Sequence, residues 1–163
     1  MDFFDVVNKR VSVPKYASKP IERKDIERIV DAGRLAATAR NVQPWRFIVT
    51  VDKKKIKELS QIVSPNGAFM VEAVAAIIIL SADTKYYLED CSAATQNILL
   101  AASSLGIGAC WIAGDKKDYA NKVASFAKAC PGELLVSVIS LGYPLEPAMP
   151  KPKKSLDELI SWL

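Results

Sequence analysis

The sequence predicts one layered α/β domain, a single sheet with helices on both faces. Two observations carry this. Ala73–Ser81 reads AVAAIIILS and is apolar at successive positions; a strand with both faces apolar belongs in the middle of a covered sheet. Strand-like runs also alternate with amphipathic helical stretches along the whole chain. The length of 163 residues suits one domain with a sizeable core. At 50% hydrophobic and 25% charged the composition is that of an ordinary globular chain, and neither an internal repeat nor an interdomain linker interrupts it.

The elements follow in order. Phe3, Phe4, Val6 and Val7 lie at helical spacing, so residues 2–9 read as a short amphipathic helix. Pro14 and Pro20 break the next stretch. Glu22–Ala37 is a helix, with Ile26, Ile29, Val30 and Gly33 on one stripe. Arg46–Val51 is a strand, Lys53–Val63 a helix with a basic, solvated start, and Ser64–Gly67 a turn. A short helix fits 68–72, ahead of the apolar strand 73–81. Tyr87–Leu105 is the longest helix. Its Ala93, Ala94, Ala101 and Ala102 would let another helix come close, and Gly106 and Gly108 end it. Ala109–Ala113 is a strand, Lys117–Lys128 a helix, and Glu133–Leu141 an apolar strand stopped by Gly142-Tyr-Pro. From Leu145 the chain is rich in proline and lysine. It is too polar to pack on its own sheet, so it is expected on a surface, with a short helix from Ser155.

Several function classes fall away. The net charge of +4 is mild and its lysines and arginines are dispersed, which argues against nucleic-acid binding. The longest apolar run, Ala73–Leu80, falls far short of the roughly 20 residues of a membrane span. The opening MDFFDVVNKR has acids among its apolar residues and no basic n-region, unlike a signal peptide. There is no histidine, which removes the commonest general base and any Ser-His or Cys-His pair. Cys91, Cys110 and Cys130 are odd in number and form no CxxC pair, so neither a zinc site nor a disulfide frame is expected. They read as reduced thiols, Cys91 and Cys110 in the core, and a cytoplasmic compartment fits.

Few residues are left to carry chemistry. Arg10 and Ser12 sit two apart in an extended segment and can point the same way, as phosphate ligands or as a solvated surface. Lys151, Lys153 and Lys154 form a second cationic cluster. Gly106-Ile-Gly108 is no dinucleotide fingerprint, because it ends a helix and opens a strand instead of the reverse. The strand Ala109–Ala113 reaches Gly114, and such an end can offer backbone N–H groups to a ligand. Asp31, Glu89 and Asp90 read as solvated charges. ATARNVQPWRF (residues 37–47) sets Asn41, Gln43, Pro44 and Trp45 close together between a helix and a strand, and none of these chemistries accounts for it.

Taken together, KRVS after a first amphipathic helix, AATARNVQPWRFIV, ATQNILLAASSLGIGACWIAG, the strand ending LGYP, and PKPKK resemble the nitroreductase family of flavin oxidoreductases over nearly the whole chain. The resemblance implies an α+β fold, a mixed central sheet flanked by helices, in a single domain 1–163 that works as an intertwined homodimer. The tail 145–163 would wrap the partner subunit. It implies FMN as cofactor, with no metal. Arg10, Val11 and Ser12 match the family's phosphate motif, and Lys153 and Lys154 its second phosphate cluster. The backbone of Ile112, Ala113 and Gly114 matches the segment facing the flavin ring near N5. Ala37, Thr38, Ala39 and Asn41 match the loop that approaches the flavin's dimethylbenzene edge from the other subunit, where small residues permit contact and Asn41 holds the loop. Pro44 and Trp45 then set the strand entry and fill core or interface.

The implied activity is ping-pong. NADH or NADPH gives hydride to the flavin, leaves, and a nitroaromatic, quinone or free flavin takes its place, with no catalytic side chain needed. The rival readings are an electron carrier or oxidase of the same fold, and a non-enzymatic member with a degenerate site. The departures are Pro14, where the family often has a basic residue, with Lys15 as an imperfect substitute, and a short chain that leaves the site open.

Overall fold

A computed structural model describes residues 2–163. The elements run α1 (Phe3–Lys9), β1 (Tyr16–Ala17), α2 (Arg23–Arg34), β2 (Trp45–Thr50), α3 (Lys53–Ile62), β3 (Ala75–Ala82), α4 (Tyr87–Ser104), β4 (Gly108–Ala113), α5 (Ala120–Phe126) and β5 (Glu133–Pro144). Short 3-10 turns lie at Ala39–Asn41, Ala68–Glu72 and Leu156–Glu158.

β5 is the centre of the sheet. It pairs antiparallel with β3, with β4 and, at its end, with β1. β3 pairs antiparallel with β2, so β2 forms one edge and β4 the other. The parallel component is a bridge from Ser12 to Ala109. Side-chain alternation sends Ala76, Ile78, Leu80 and Val138 to a core with Ile56, Leu59 and Val63 of α3 and Val123 of α5. It sends Ala75, Ile77, Ile79, Ile139 and Leu141 to a second core with Ile26 and Ile29 of α2 and Cys91, Ile98 and Ala102 of α4. This is the covering on two faces that AVAAIIILS demands. The small residues of α4 do admit a neighbour: α2 packs there, Gly33 lying against Ile98 and the Ala94 carbonyl.

The helix starts have local causes. The Asp52 carboxylate accepts the Lys54 N–H at 2.8 Å, so the lysine run 53–55 follows an acid cap. Asp2 caps α1 by accepting the Asp5 N–H.

Four expectations shift. The helix expected to reach Ala37 stops at Arg34, because residues 37–43 are diverted into a loop. The helix expected at 117–128 contracts to Ala120–Phe126, between left-handed Lys116 (φ 56°) and Lys128 (φ 52°). The strand expected to stop at Leu141 runs on to Pro144, since Gly142 pairs with Gly108, and Tyr143 and Pro144 pair with Ala17 and Tyr16. That pairing also makes β1 a strand, two residues long between prolines and too short for a periodic signal.

Residues 145–163 are exposed throughout, including Leu156, Leu159, Ile160 and Trp162. Among the described residues no helix is long and apolar enough to cross a membrane.

Candidate functional site

Arg10, Val11 and Ser12 follow α1 and lie along the start of β4. The Val13 N–H donates to the Ala109 carbonyl at 3.0 Å. Gly108 makes this approach possible: a Cβ there would sit 2.8 Å from the Val13 side chain, closer than packed carbons tolerate. Gly106, at φ 70°, is the helix-ending glycine expected after α4. Cys110 lies near Arg10 and Ser12, and burial is the main reason its thiol is pushed up. Cys110 is half-buried beside them, whereas Cys91 is core, its thiol raised to about 11 by burial. The three cysteines are free, and among the described residues no cluster suited to a metal occurs.

The hydrogen-bond phase of β4 decides what its outer edge offers. In an antiparallel pair, alternate residues aim N–H and C=O at the partner and the rest aim them away. The Gly114 N–H donates to Val136 O at 3.1 Å, as does that of Asp115. Counting back from Gly114, Ile112, Cys110 and Gly108 face β5, while Ala113, Trp111 and Ala109 face outward. The Ala109 carbonyl takes Val13, and the Ala113 carbonyl takes the Tyr119 hydroxyl. The N–H groups of Trp111 and Ala113 are left as donors on the open edge. Of the three residues expected to face a ring, Ala113 holds the free N–H. Gly114's is committed to the sheet, and Ile112 is buried in the core.

The loop 37–43 lies elsewhere. Pro44, where it joins β2, accepts the Ala82 N–H at 2.9 Å, and Trp45 pairs with Ser81. Three strand spacings separate β2 from β4, about 14 Å, and about eight residues of β5, roughly 26 Å, separate the two pairing positions lengthwise. Within one chain, no small ligand reaches Arg10 and this loop together. Ala37 is exposed, and Thr38 and Ala39 are half-buried. Arg40, Asn41 and Gln43 are left-handed, with φ of 54°, 57° and 52°. Inside the loop the Gln43 N–H donates to Thr38 Oγ1, and Gln43 Nε2 donates to the Asn41 carbonyl. Asn41 thus contributes backbone shape and a carbonyl.

The sequence reading missed the loop's outside support. Asp90, expected to be solvated, is 6% exposed, and its Oδ1 accepts the Ala39 N–H at 3.0 Å. Neighbouring acids on a helix face about 100° apart, so Glu89 stays in water while Asp90 turns inward. Tyr87, three residues earlier on α4, donates to Asp115 Oδ1 at 2.7 Å. That bond, which favours the protonated phenol, is the main reason its pKa rises to about 12. Asp31 is an exposed partner of Arg34. Lys153 and Lys154 are exposed, and the tail passes Arg10 at Pro147 and Ala148, where these residues line a small hollow of about 170 Å³.

A much larger hollow lies away from Arg10. A cleft of about 1040 Å³ runs along the outer side of β2 against α2, lined by Ile26, Val30, Trp45, Phe47, Val49 and Val51 among others. Val49 and Val51 are openly exposed there.

The nitroreductase family model matches residues 7–68 and 66–143. A protein of Archaeoglobus fulgidus, provisionally named an NADH dehydrogenase/NAD(P)H nitroreductase, is 38% identical over 146 residues, covering 85% of this chain and 83% of its own. The crystal structure of a provisionally named NADH dehydrogenase/NAD(P)H nitroreductase from Bacteroides thetaiotaomicron is 33% identical. It superposes with a TM-score of 0.92, covering 98% of this chain and 96% of its own. The FMN-dependent nitroreductase of Clostridium difficile R20291 is 29% identical with a TM-score of 0.85, covering 96% and 94%. With the family model spanning most of the chain, this protein belongs to the nitroreductase family.

Proposed function

We propose that this protein is an FMN-dependent oxidoreductase that carries hydride from NADH or NADPH to a small acceptor such as a nitroaromatic, a quinone or a free flavin. The open β4 edge carries the reading: two unpaired backbone N–H groups lie in line with the Arg10–Ser12 segment. The residues fit the cofactor. Gly108 clears the space that lets Arg10, Val11 and Ser12 lie against the strand, and Arg10 and Ser12 supply a cation and a hydroxyl for a phosphate. Lys153 and Lys154, exposed on the polar tail, would supply further cations. Ala113 N–H would orient and polarise the ring. When bound, FMN supplies N5, the atom that takes up hydride and passes it on. The chain needs no nucleophile or general base for this, in keeping with its lack of histidine.

The site would be completed by a second subunit. The loop holding Ala37, Thr38, Ala39 and Asn41 lies too far from its own Arg10 to share one ligand, so it would serve the partner's flavin. The β2 cleft and the exposed apolar residues of the tail would cover each other across the same homodimer. Donor and acceptor would use one exposed flavin face in turn, and the protein would work in the cytoplasm.

An absorbance spectrum with and without added FMN, followed by anaerobic NADH or NADPH, tests this. A flavin band that bleaches with a donor supports the reductase and names the nicotinamide. Bound flavin that only a chemical reductant bleaches would point to an electron carrier or oxidase. Absence of FMN binding at micromolar concentration would sink the proposal and leave a non-enzymatic member of the fold.

A further inference from the structure

We infer that Asp90 is a positioning residue, holding the 37–43 loop in the shape its flavin contact requires. The inference rests on the flavin reading above. Three non-glycine residues of this loop, Arg40, Asn41 and Gln43, are left-handed, a conformation L-residues persist in only when their surroundings enforce it. The bonds inside the loop are long, two between backbone groups at 3.2 Å and two from Gln43 at 3.3 Å, and they travel with it. Support must therefore come from outside. The far end is tied where Pro44 O accepts the Ala82 N–H. The near end is tied by Asp90, whose carboxylate oxygen accepts the Ala39 N–H at 3.0 Å.

Asp90 suits the task. It is 6% exposed and sits in the first turn of an 18-residue helix. That helix is itself fixed on two sides. Asn97 Nδ2 donates to the Ala32 carbonyl of α2 at 3.0 Å, and Tyr87 bonds Asp115 beyond β4. A buried carboxylate on so rigid a base sets the position of one particular N–H, and a bond to a charged acceptor is stronger than one between neutral groups. Ala39 is one of the small residues placed against the ring, so displacing its amide displaces the contact.

The test compares Asp90→Ala, which removes the acceptor, with Asp90→Asn, which keeps an oxygen in place. Amide exchange is measured on the apoprotein, FMN affinity by flavin fluorescence, and overall fold by melting. Asp90→Ala is expected to speed exchange across 37–43 about tenfold and weaken FMN binding about tenfold, with α4 exchange unchanged, whereas Asp90→Asn stays within about threefold of the parent in both. If Asp90→Ala fails to fold, Asp90→Ser, too short to reach Ala39, takes its place. Parent-like exchange and affinity in the acceptor-less variant would overturn the inference. So would faster exchange with unchanged FMN affinity, or equal losses in Asp90→Asn and Asp90→Ala spread evenly over the chain. A parent that binds no FMN would remove the flavin reading instead. Exchange in the apoprotein would then still decide whether Asp90 holds the loop.

Discussion

The two edges of the sheet are built for different partners. At the β4 edge the backbone is open and polar: Trp111 and Ala113 present N–H groups, with a cation and a hydroxyl nearby at Arg10 and Ser12. At the β2 edge the side chains dominate, as Trp45, Phe47 and Val49 line a cleft of about 1040 Å³ against α2. An open row of donors with cations beside it suits a small anionic ligand. An apolar edge that wide is an association hazard unless another surface covers it. The difference teaches that one sheet can end in two unlike edges, one offering backbone donors and a cation, the other an apolar side-chain surface.

The predictions separate the edges. The largest effect is expected from deleting residues 145–163. If the tail covers the β2 cleft, sedimentation should show loss of the dimer, and the melting temperature should fall by more than about 10 °C, a loss of several kcal/mol for a chain this size. A truncated chain that stays dimeric would assign the cleft to something else. Next come two prolines one residue apart. Ile112→Pro removes a ladder N–H and a buried side chain, and should cost about 3 kcal/mol or more by denaturant unfolding. Ala113→Pro removes an N–H the sheet does not use, so stability should change by only about 1 kcal/mol. Stopped-flow reduction by the nicotinamide should slow by about 10²-fold if that N–H polarises the ring. Equal unfolding by both would mean the β4 phase is misassigned.

Arg10→Ala should weaken FMN binding about 10- to 100-fold with the fold intact, the loss of about 1.5–3 kcal/mol expected for a charged hydrogen bond. Equal affinity by fluorescence titration would remove Arg10 from the site. The smallest effect lies in the framework between the edges. Glu133 accepts from Arg46 Nε at 2.7 Å, and this bond holds its carboxyl below the usual range. A depressed carboxyl contributes stability above its unfolded value, about 4.3, and loses it as pH falls through the folded value. Glu133→Gln should therefore melt below the parent at pH 7, by a gap that closes under about pH 4. A gap independent of pH would assign the loss to packing.

The fold was legible where a pattern runs long enough. AVAAIIILS required two covered faces, and the alanines of α4 foretold the close approach of α2. What escaped depends on pairing, which no local pattern encodes. The two residues of β1 are a strand only because the end of β5 lies beside them. Which N–H of residues 112–114 is free follows from the register of β4 on β5, so the sequence could name the segment without the residue. Asp90 beside Glu89 looks like any exposed pair, and its burial follows from the angle at which α4 meets the loop. The β2 cleft was not foreseen at all, since RFIVTV reads equally well as an inner or an edge strand.

If the 37–43 loop serves a partner's flavin, its distance from Arg10 has a consequence for handling the protein. A ligand site shared between two chains fills only as fast as chains meet, so occupancy follows protein concentration as well as cofactor concentration. Dilution would then strip colour from the sample even with FMN in excess. A titration done at one concentration would report assembly and cofactor affinity as a single number.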